Sequence, residues 1–148
     1  MTLAEPAVQH AVSPEVYVEI QQFYARQMQL LDEARTHEWA ETFTDDGVFA
    51  ANAHPEPVRG RQEIAAASTK ARAALKAAGL QHRHWLGMLD AKTTEDGGII
   101  AHSYAVVVET PRGGTPMIKH STHCADLLVH DGAQWLVRRR QITRDDLA

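Results

Sequence analysis

The chain has 148 residues, of which 44% are hydrophobic, 23% charged and 6% aromatic, and its formal net charge is −4 with the histidines neutral. This length suits one globular domain with a core of its own, and the composition excludes a wholly disordered chain. The mild acidity of the chain argues against a general nucleic-acid binder, because neutralising phosphates requires a net basic face. The basic run Arg138, Arg139 and Arg140 does not supply one, because residues of a strand alternate between its two faces.

Cysteine content and hydropathy give expectations about the compartment. Cys124 is the single cysteine, which excludes an internal disulfide and a paired-cysteine zinc or redox motif. The first 15 residues lack the regions of a secretory signal, and no window reaches the roughly 18–20 apolar residues of a membrane span. We therefore expect a soluble, cytoplasmic protein that does not bind membranes.

The N-terminal residues carry no apolar pattern. Residues 1–12 are expected to form a flexible arm, and residues 13–148 to form a single domain. Ser13, Pro14 and Glu15 give the signals of a helix start: a capping hydroxyl, a proline at the first helical position and an acid in the first turn. Apolar residues at helical spacing follow these signals. Three helices are predicted, over residues 14–33, 36–43 and 61–78.

Strand patterns dominate after Gly79, where glycine-containing turns separate alternating segments. A turn at residues 45–47 is predicted to precede a first, earlier strand. This order of elements predicts an α+β fold, with the helices on one face of a curved sheet. The predicted strands cover residues 48–51, 81–91, 99–109, 117–130 and 134–143.

Two histidines in the first long strand are the main chemical signal. His82 and His84 lie two residues apart, so a regular strand points both to one face. His82 also fits a plain polar residue near a strand start, and both interpretations stay open. His84 has apolar neighbours, Trp85, Leu86 and Met88, among which an imidazole needs a polar partner.

A carboxylate is the partner that would fix the tautomer of His84 and raise its basicity. Asp32 is the candidate, because it lies near the C-terminal end of the first helix, where the helix dipole disfavours an anion. The alternative is a solvated loop acid beside Glu33, and the residues alone do not decide between the two.

Metal and nucleophile interpretations are weaker. His82 and His84 are similar to the two-histidine strand of cupins, but no glutamate follows in Leu86–Leu89, and His120 and His123 point to opposite faces of a strand. Cys124 has no basic neighbour in the sequence, which favours a buried structural thiol over a nucleophile. We predict no metal and no cofactor.

Several segments together resemble the SnoaL-like proteins of the nuclear transport factor 2-like superfamily, and also the β subunits of aromatic-ring-hydroxylating dioxygenases. The resemblance covers the chain from about Pro14 to Asp145. The segments that carry it are LLDEARTHEWAETFTDDGVF (30–49), VRGRQEI (58–64), HRHW (82–85), DLL (126–128) and GAQWLV (132–137) with Arg140.

This resemblance implies a cone-shaped fold, in which a strongly curved, mostly antiparallel sheet packs on three helices around a pocket. In scytalone dehydratases and related dehydrochlorinases, a catalytic Asp-His dyad occupies the positions that match Asp32 and His84. Dehydratases of that type carry a second pocket histidine on the following strand, and Ala105–Val108 contains none.

The resemblance further implies a cofactor-independent enzyme of the cyclase, dehydratase (lyase) or isomerase type, acting on polyketide-like or aromatic substrates in secondary metabolism such as antibiotic biosynthesis. The alternatives are a non-catalytic binding or assembly subunit, as in the dioxygenases, and a metal-dependent cupin-like enzyme. A homo-oligomer, most simply a dimer, is expected through the apolar residues Val106, Val108, Leu127 and Val129.

Substrate-binding residues are predicted from strand alternation and aromatic content. The aromatic members also fit a plain core, and a bulge in residues 117–130 would reverse the inward face of that strand. The predicted lining residues are Tyr24, Trp39, Phe49, Trp85, Met88, Tyr104, Thr122 and Cys124.

Overall fold

The structure, a computed structural model, describes residues 4–148 and contains three α-helices and seven strands within them. The helices are α1 (Pro14–Asp32), α2 (Thr36–Ala40) and α3 (Arg61–Ala77). The strands are β1 (Val8–Ala11), β2 (Phe43–Ala51), β3 (Val58–Arg59), β4 (Leu80–Thr94), β5 (Ile99–Pro111), β6 (Met117–His130) and β7 (Trp135–Arg144), and a short 3₁₀ turn at Asp145–Leu147 follows.

All seven strands form one curved sheet in the order β1-β4-β5-β6-β7-β2-β3. Every neighbouring pair is antiparallel except β2 and β7, which are parallel. The core cluster joins residues of all three helices to residues of β2 and of the four long strands. The predicted α+β architecture with a curved, mostly antiparallel sheet is confirmed.

The largest differences from the predicted elements lie in short strands. Residues 45–47, predicted as a turn, lie inside β2, where the pairing with β7 shifts register between Phe43 and Val48. The irregular pairing accommodates two aspartates and a glycine, which are residue types that a regular strand disfavours. α2 accordingly ends at Ala40 rather than at residue 43.

Two strands were not predicted because they carry no hydrophobic alternation. β1 lies within the segment predicted as a flexible arm; its four residues are exposed and join the sheet through β4. β3 has only two residues and pairs with β2. Backbone pairing alone leaves no periodic signal. Residues 1–3 of the predicted arm lie outside the described residues.

The C-terminal end of α1 is shaped by a left-handed residue that directs the chain away from the helix after Asp32. Ala34 has φ 61°, its N–H donates to the Leu31 carbonyl, and the Arg35 N–H donates to the Leu30 carbonyl. These two bonds form a Schellman motif, in which glycine is the preferred left-handed residue.

Replacing Ala34 with Gly should therefore stabilise the fold by about 1 kcal/mol, because the steric cost of an L-residue at positive φ disappears. Urea denaturation would measure the gain. Ala78→Gly is the matched control, since Ala78 ends α3 with φ −82° and gains nothing from glycine. Equal effects of the two changes would contradict this account of the helix end.

Candidate active site

A cavity lies between the inner face of the sheet and the helices. It has two compartments, of about 360 Å³ and about 160 Å³, which share the lining residues Leu31, Trp39, Phe49, His84, His120, Ile142 and Arg144. The larger compartment extends towards α3, and the smaller extends along β5 and β6 to Thr122 and Cys124. Aromatic and aliphatic side chains make up most of both walls, which suits an apolar ligand.

Asp32 and His84 are in direct contact at the wall of this cavity. The Nδ1 atom of His84 lies 2.6 Å from Oδ1 of Asp32, and the backbone N–H of His84 donates to Oδ2 at 2.9 Å. The side chains are 17% (His84) and 6% (Asp32) exposed. Because a carboxylate only accepts, Nδ1 is the ring nitrogen that donates to Asp32, and in the neutral imidazole Nε2 is the nitrogen without a proton.

The Asp32–His84 pair lies where the β4 edge of the sheet is not covered by another strand. β1 pairs with β4 only around Lys92 and Thr94, so no strand formed by residues 4–148 covers this edge of β4 at His84. The end of α1 lies there instead, and the Asp32 carboxylate accepts the uncovered backbone N–H. Gln81 adds a hydrogen bond from its amide to the Asp32 carbonyl, 3.2 Å.

His120 is a second histidine of the cavity that sequence reasoning did not select. In the sheet register His84 is paired with Val107, and Val107 is paired with His120, so the three residues form one row across β4, β5 and β6. Burial lowers the pKa of His120, and the nearby Arg144 lowers it further. Its two-residue spacing from Thr122, already predicted to face inwards, was the signal that could have found it.

Arg72 and Arg144 bring positive charge to the cavity and were also missed. Arg144 is paired with Asp146, with a guanidinium-to-carboxylate distance of 2.6 Å. Arg72 lies on α3, one helical turn after the buried Ser68 and two after Ile64. That i, i+4, i+8 spacing is the available signal, since it continues the inward face of the helix.

Four of the predicted lining residues do lie in the cavity wall. Trp39 and Phe49 pack edge to face, with ring centroids 6.2 Å apart. Thr122 donates to the Ala105 carbonyl at 2.8 Å and points inwards beside Cys124. Burial raises the pKa of the Cys124 thiol, which keeps it protonated at neutral pH and agrees with a structural role.

The other four predicted lining residues lie outside these two compartments, but Tyr24 and Trp85 line a separate pocket of about 240 Å³ that also contains Asp32 and His84. Tyr24 belongs to the buried core and donates its hydroxyl to Asp126. Trp85 and Tyr104 are 77% and 58% exposed, because strand alternation places them on the face opposite to His84 and Ala105. Met88 is 78% exposed; its φ of 52° and the register shift after Gly87 break the alternation that would have turned it inwards.

A buried charge network supports the floor of the smaller compartment. Arg140 donates through Nε and Nη2 to the two carboxylate oxygens of Asp126, at 2.9 and 2.8 Å, and through Nη2 to Gln27 at 2.7 Å. The Tyr24 hydroxyl donates to the same carboxylate at 2.7 Å, and burial raises the Tyr24 pKa. The network satisfies its own charges, so Arg140 is a structural cation.

Neither a metal-binding cluster nor a membrane-spanning helix is found among residues 4–148. No three histidine, cysteine, aspartate or glutamate side chains of that range are grouped so that they could hold a metal ion. No helix within it has the length and apolar character needed to cross a membrane.

Comparison with known families identifies the class of this α+β fold, in which an Asp–His pair lies beside an apolar cavity. The chain belongs to the SnoaL-like domain family, whose model matches residues 13–141. The family predicted from the sequence is therefore confirmed. No curated protein sequence matches the chain.

Solved structures of three bacterial proteins resemble this chain over about nine-tenths of its length. Aln2 from a Streptomyces species is 34% identical, with 93% of this chain and 96% of that chain covered and a TM-score of 0.84. ActVI-ORFA from Streptomyces coelicolor is 30% identical, with 90% and 97% covered and a TM-score of 0.83. A protein from Catenulispora acidiphila, solved in complex with S-DNPA, is 32% identical, with 90% and 96% covered and a TM-score of 0.78.

Proposed function

We propose that this chain is a cofactor-independent enzyme of the cyclase, dehydratase or isomerase type, in which His84 moves a proton at a carbon next to a carbonyl group. Family membership supports a small-molecule enzyme at the level of the family. The observation that carries the finer proposal is the 2.6 Å contact between Asp32 and His84 at the wall of an apolar cavity. A positioned imidazole with a carboxylate behind it is the usual arrangement of a general base.

The roles of the two residues follow from their geometry. Nε2 of His84 accepts the proton from the substrate carbon, and the ring becomes an imidazolium. Asp32 holds the ring through Nδ1 and stabilises that charge. Return of the proton to another carbon gives isomerisation. If the imidazolium instead protonates a departing hydroxyl group, the group leaves as water and the result is dehydration. If the carbanion attacks a second carbonyl carbon and the imidazolium protonates the resulting alkoxide, the result is cyclisation.

His120 suits the task of binding the carbonyl oxygen. Its lowered pKa keeps the imidazole neutral at pH 7, so a ring N–H can donate to an oxygen that gains negative charge during proton removal. This histidine is supplied by β6, two strands from His84, rather than by the adjacent β5.

The proposed substrate is an aromatic or polyketide-like molecule of secondary metabolism, such as antibiotic biosynthesis. Trp39, Phe49 and Leu31 form an apolar wall against which a ring system can pack. The complex of the Catenulispora acidiphila relative shows that a member of this fold binds a small molecule. The cytoplasmic location and the homodimer stay predictions.

Hydrogen–deuterium exchange of a bicyclic aromatic ketone such as 1-tetralone tests this proposal without the native substrate. NMR in D₂O should show enzyme-dependent loss of the signal of the protons next to the carbonyl. His84→Gln should slow that exchange by about 10²–10⁴-fold, the usual contribution of a general base.

His82→Gln is the matched control, because His82 lies on the same strand face but is paired with Glu109, at 2.7 Å, and does not line the cavity. Its exchange rate should stay within a few-fold of wild type. If both variants exchange as fast as wild type, the catalytic proposal fails, and a non-catalytic binding subunit becomes the better interpretation.

A further inference from the structure

One cation of the cavity has no partner in the described part of the chain. Arg72 lines the larger compartment, and its Nε atom is buried without a hydrogen bond among residues 4–148. The two other arginines of the cavity are already paired, Arg144 with Asp146 and Arg140 with Asp126. Arg72 is therefore the arginine whose charge is open to a ligand.

The protein carboxylate that interacts with Arg72 is already engaged by another residue. Asp32 interacts electrostatically with Arg72, but both of its oxygens accept hydrogen bonds from His84. Burial lowers the pKa of Arg72, which indicates that holding this charge at the cavity wall costs free energy. An unpaired, partly buried guanidinium lowers the stability of the fold, because its lost hydration is not replaced unless a bound ligand pairs with its charge.

We propose that Arg72 binds a carboxylate group of the substrate, so that the substrates of this enzyme are aromatic molecules that carry a carboxylate in addition to the reacting carbonyl group. This inference rests on the proposed function, because it assigns a second contact in the same cavity. A guanidinium matches a carboxylate with parallel hydrogen bonds, which fixes orientation as well as affinity.

The positions of the groups support this orientation. Arg72 is supplied by α3 and His84 by β4, and both line the larger compartment with the apolar Trp39 and Phe49. An acid bound at Arg72 therefore lays its ring system along the aromatic wall and presents another part of the molecule to His84. Binding energy at a remote group then positions the reacting carbon.

Two probes of the same shape test the charge directly: 2-naphthoic acid, an anion at pH 7, and 2-naphthamide, its neutral analogue. Isothermal titration calorimetry gives the dissociation constant of each. Wild type should bind the acid about 10- to 100-fold more tightly than the amide, the range of a charge-assisted pair.

Arg72→Gln should weaken acid binding to the level of the amide and leave amide binding within about threefold of wild type. Arg72→Lys keeps the positive charge but cannot make two parallel hydrogen bonds to a carboxylate, so it should retain part of the preference for the acid over the amide. Lys70→Gln, at an exposed position two residues earlier on α3, should retain all of it. Equal binding of acid and amide by wild type, or an unchanged acid preference in Arg72→Gln, overturns the inference.

His84→Gln separates this inference from the proposed function. Because binding at Arg72 needs no proton transfer, that variant should keep the acid preference while losing deuterium exchange. Preserved preference with exchange that does not depend on His84 would reject the catalytic proposal alone. Exchange that depends on His84, without any acid preference, would reject the role of Arg72 alone.

Discussion

The double variant Asp32→Asn with His84→Gln should slow deuterium exchange by little more than His84→Gln alone, about 10²–10⁴-fold. Asp32→Asn by itself should cost nearly as much. Groups that act as one unit show such non-additive losses. Once His84 is replaced, Asp32 no longer has a catalytic base to orient, so its replacement adds little.

The geometry of Asp32 explains why an isosteric amide fails. One carboxylate oxygen accepts from the backbone N–H of His84, and the other accepts from Nδ1. Asparagine has one oxygen, so when it accepts the backbone N–H its NH₂ group faces Nδ1. The imidazole must then carry its proton on Nε2, and the nitrogen that should take the substrate proton is blocked.

Glu109→Gln is the matched control, because Glu109 is paired with His82 through a similar 2.7 Å contact away from the cavity lining. Exchange rates of all variants should be compared after their thermal melting confirms folding. If the losses from the two single changes multiply in the double variant, Asp32 and His84 act independently, and Asp32 is not the group that orients the base.

Much of the fold is encoded in local patterns. The helix start at Ser13 combines a cap, a proline and an acid, and the structure confirms a side-chain cap to the Val16 N–H. The strand Met117–His130 was predicted with the observed bounds, because glycine turns and alternation define both ends. β1 and β3 carry neither signal, since pairing to a sheet edge needs only backbone groups.

The candidate site was less accessible from the sequence. Asp32 and His84 are 52 residues apart. The helix-end position of Asp32 suggested the pairing, but only the family resemblance favoured it over a solvated acid. Met88 was misplaced because a left-handed residue in a bulge cannot be read from an apolar alternation. His120 and Arg72 lie on faces that could have been identified, but their importance depends on which charges meet in the cavity, and that is a property of the tertiary structure.

The largest expected effect on stability concerns the buried pair behind the smaller compartment. Asp126→Asn should reduce the free energy of unfolding by about 3–5 kcal/mol, the usual cost of leaving one member of a buried pair uncompensated. Arg140 is 4% exposed and Asp126 is 2% exposed, so water cannot replace the lost charge. The amide oxygen can still accept from Arg140, but the NH₂ group then faces another donor of the network.

Asp90→Asn is the matched control for this change, because Asp90 is also paired with a cation on a strand, Lys92 at 3.3 Å, but at the surface. A surface pair contributes about 0–1 kcal/mol, so urea denaturation should show a small shift of the unfolding midpoint for this variant and a large shift for Asp126→Asn, with similar dependence of the unfolding free energy on urea concentration.

Since Arg140 also lines the smaller compartment, the loss of its partner in Asp126→Asn should loosen the wall beside Thr122 and Cys124 and weaken binding of the naphthyl probes. Equal shifts for the two aspartates would mean that the network contributes no more than a surface ion pair, and that the rigidity of this wall has another source.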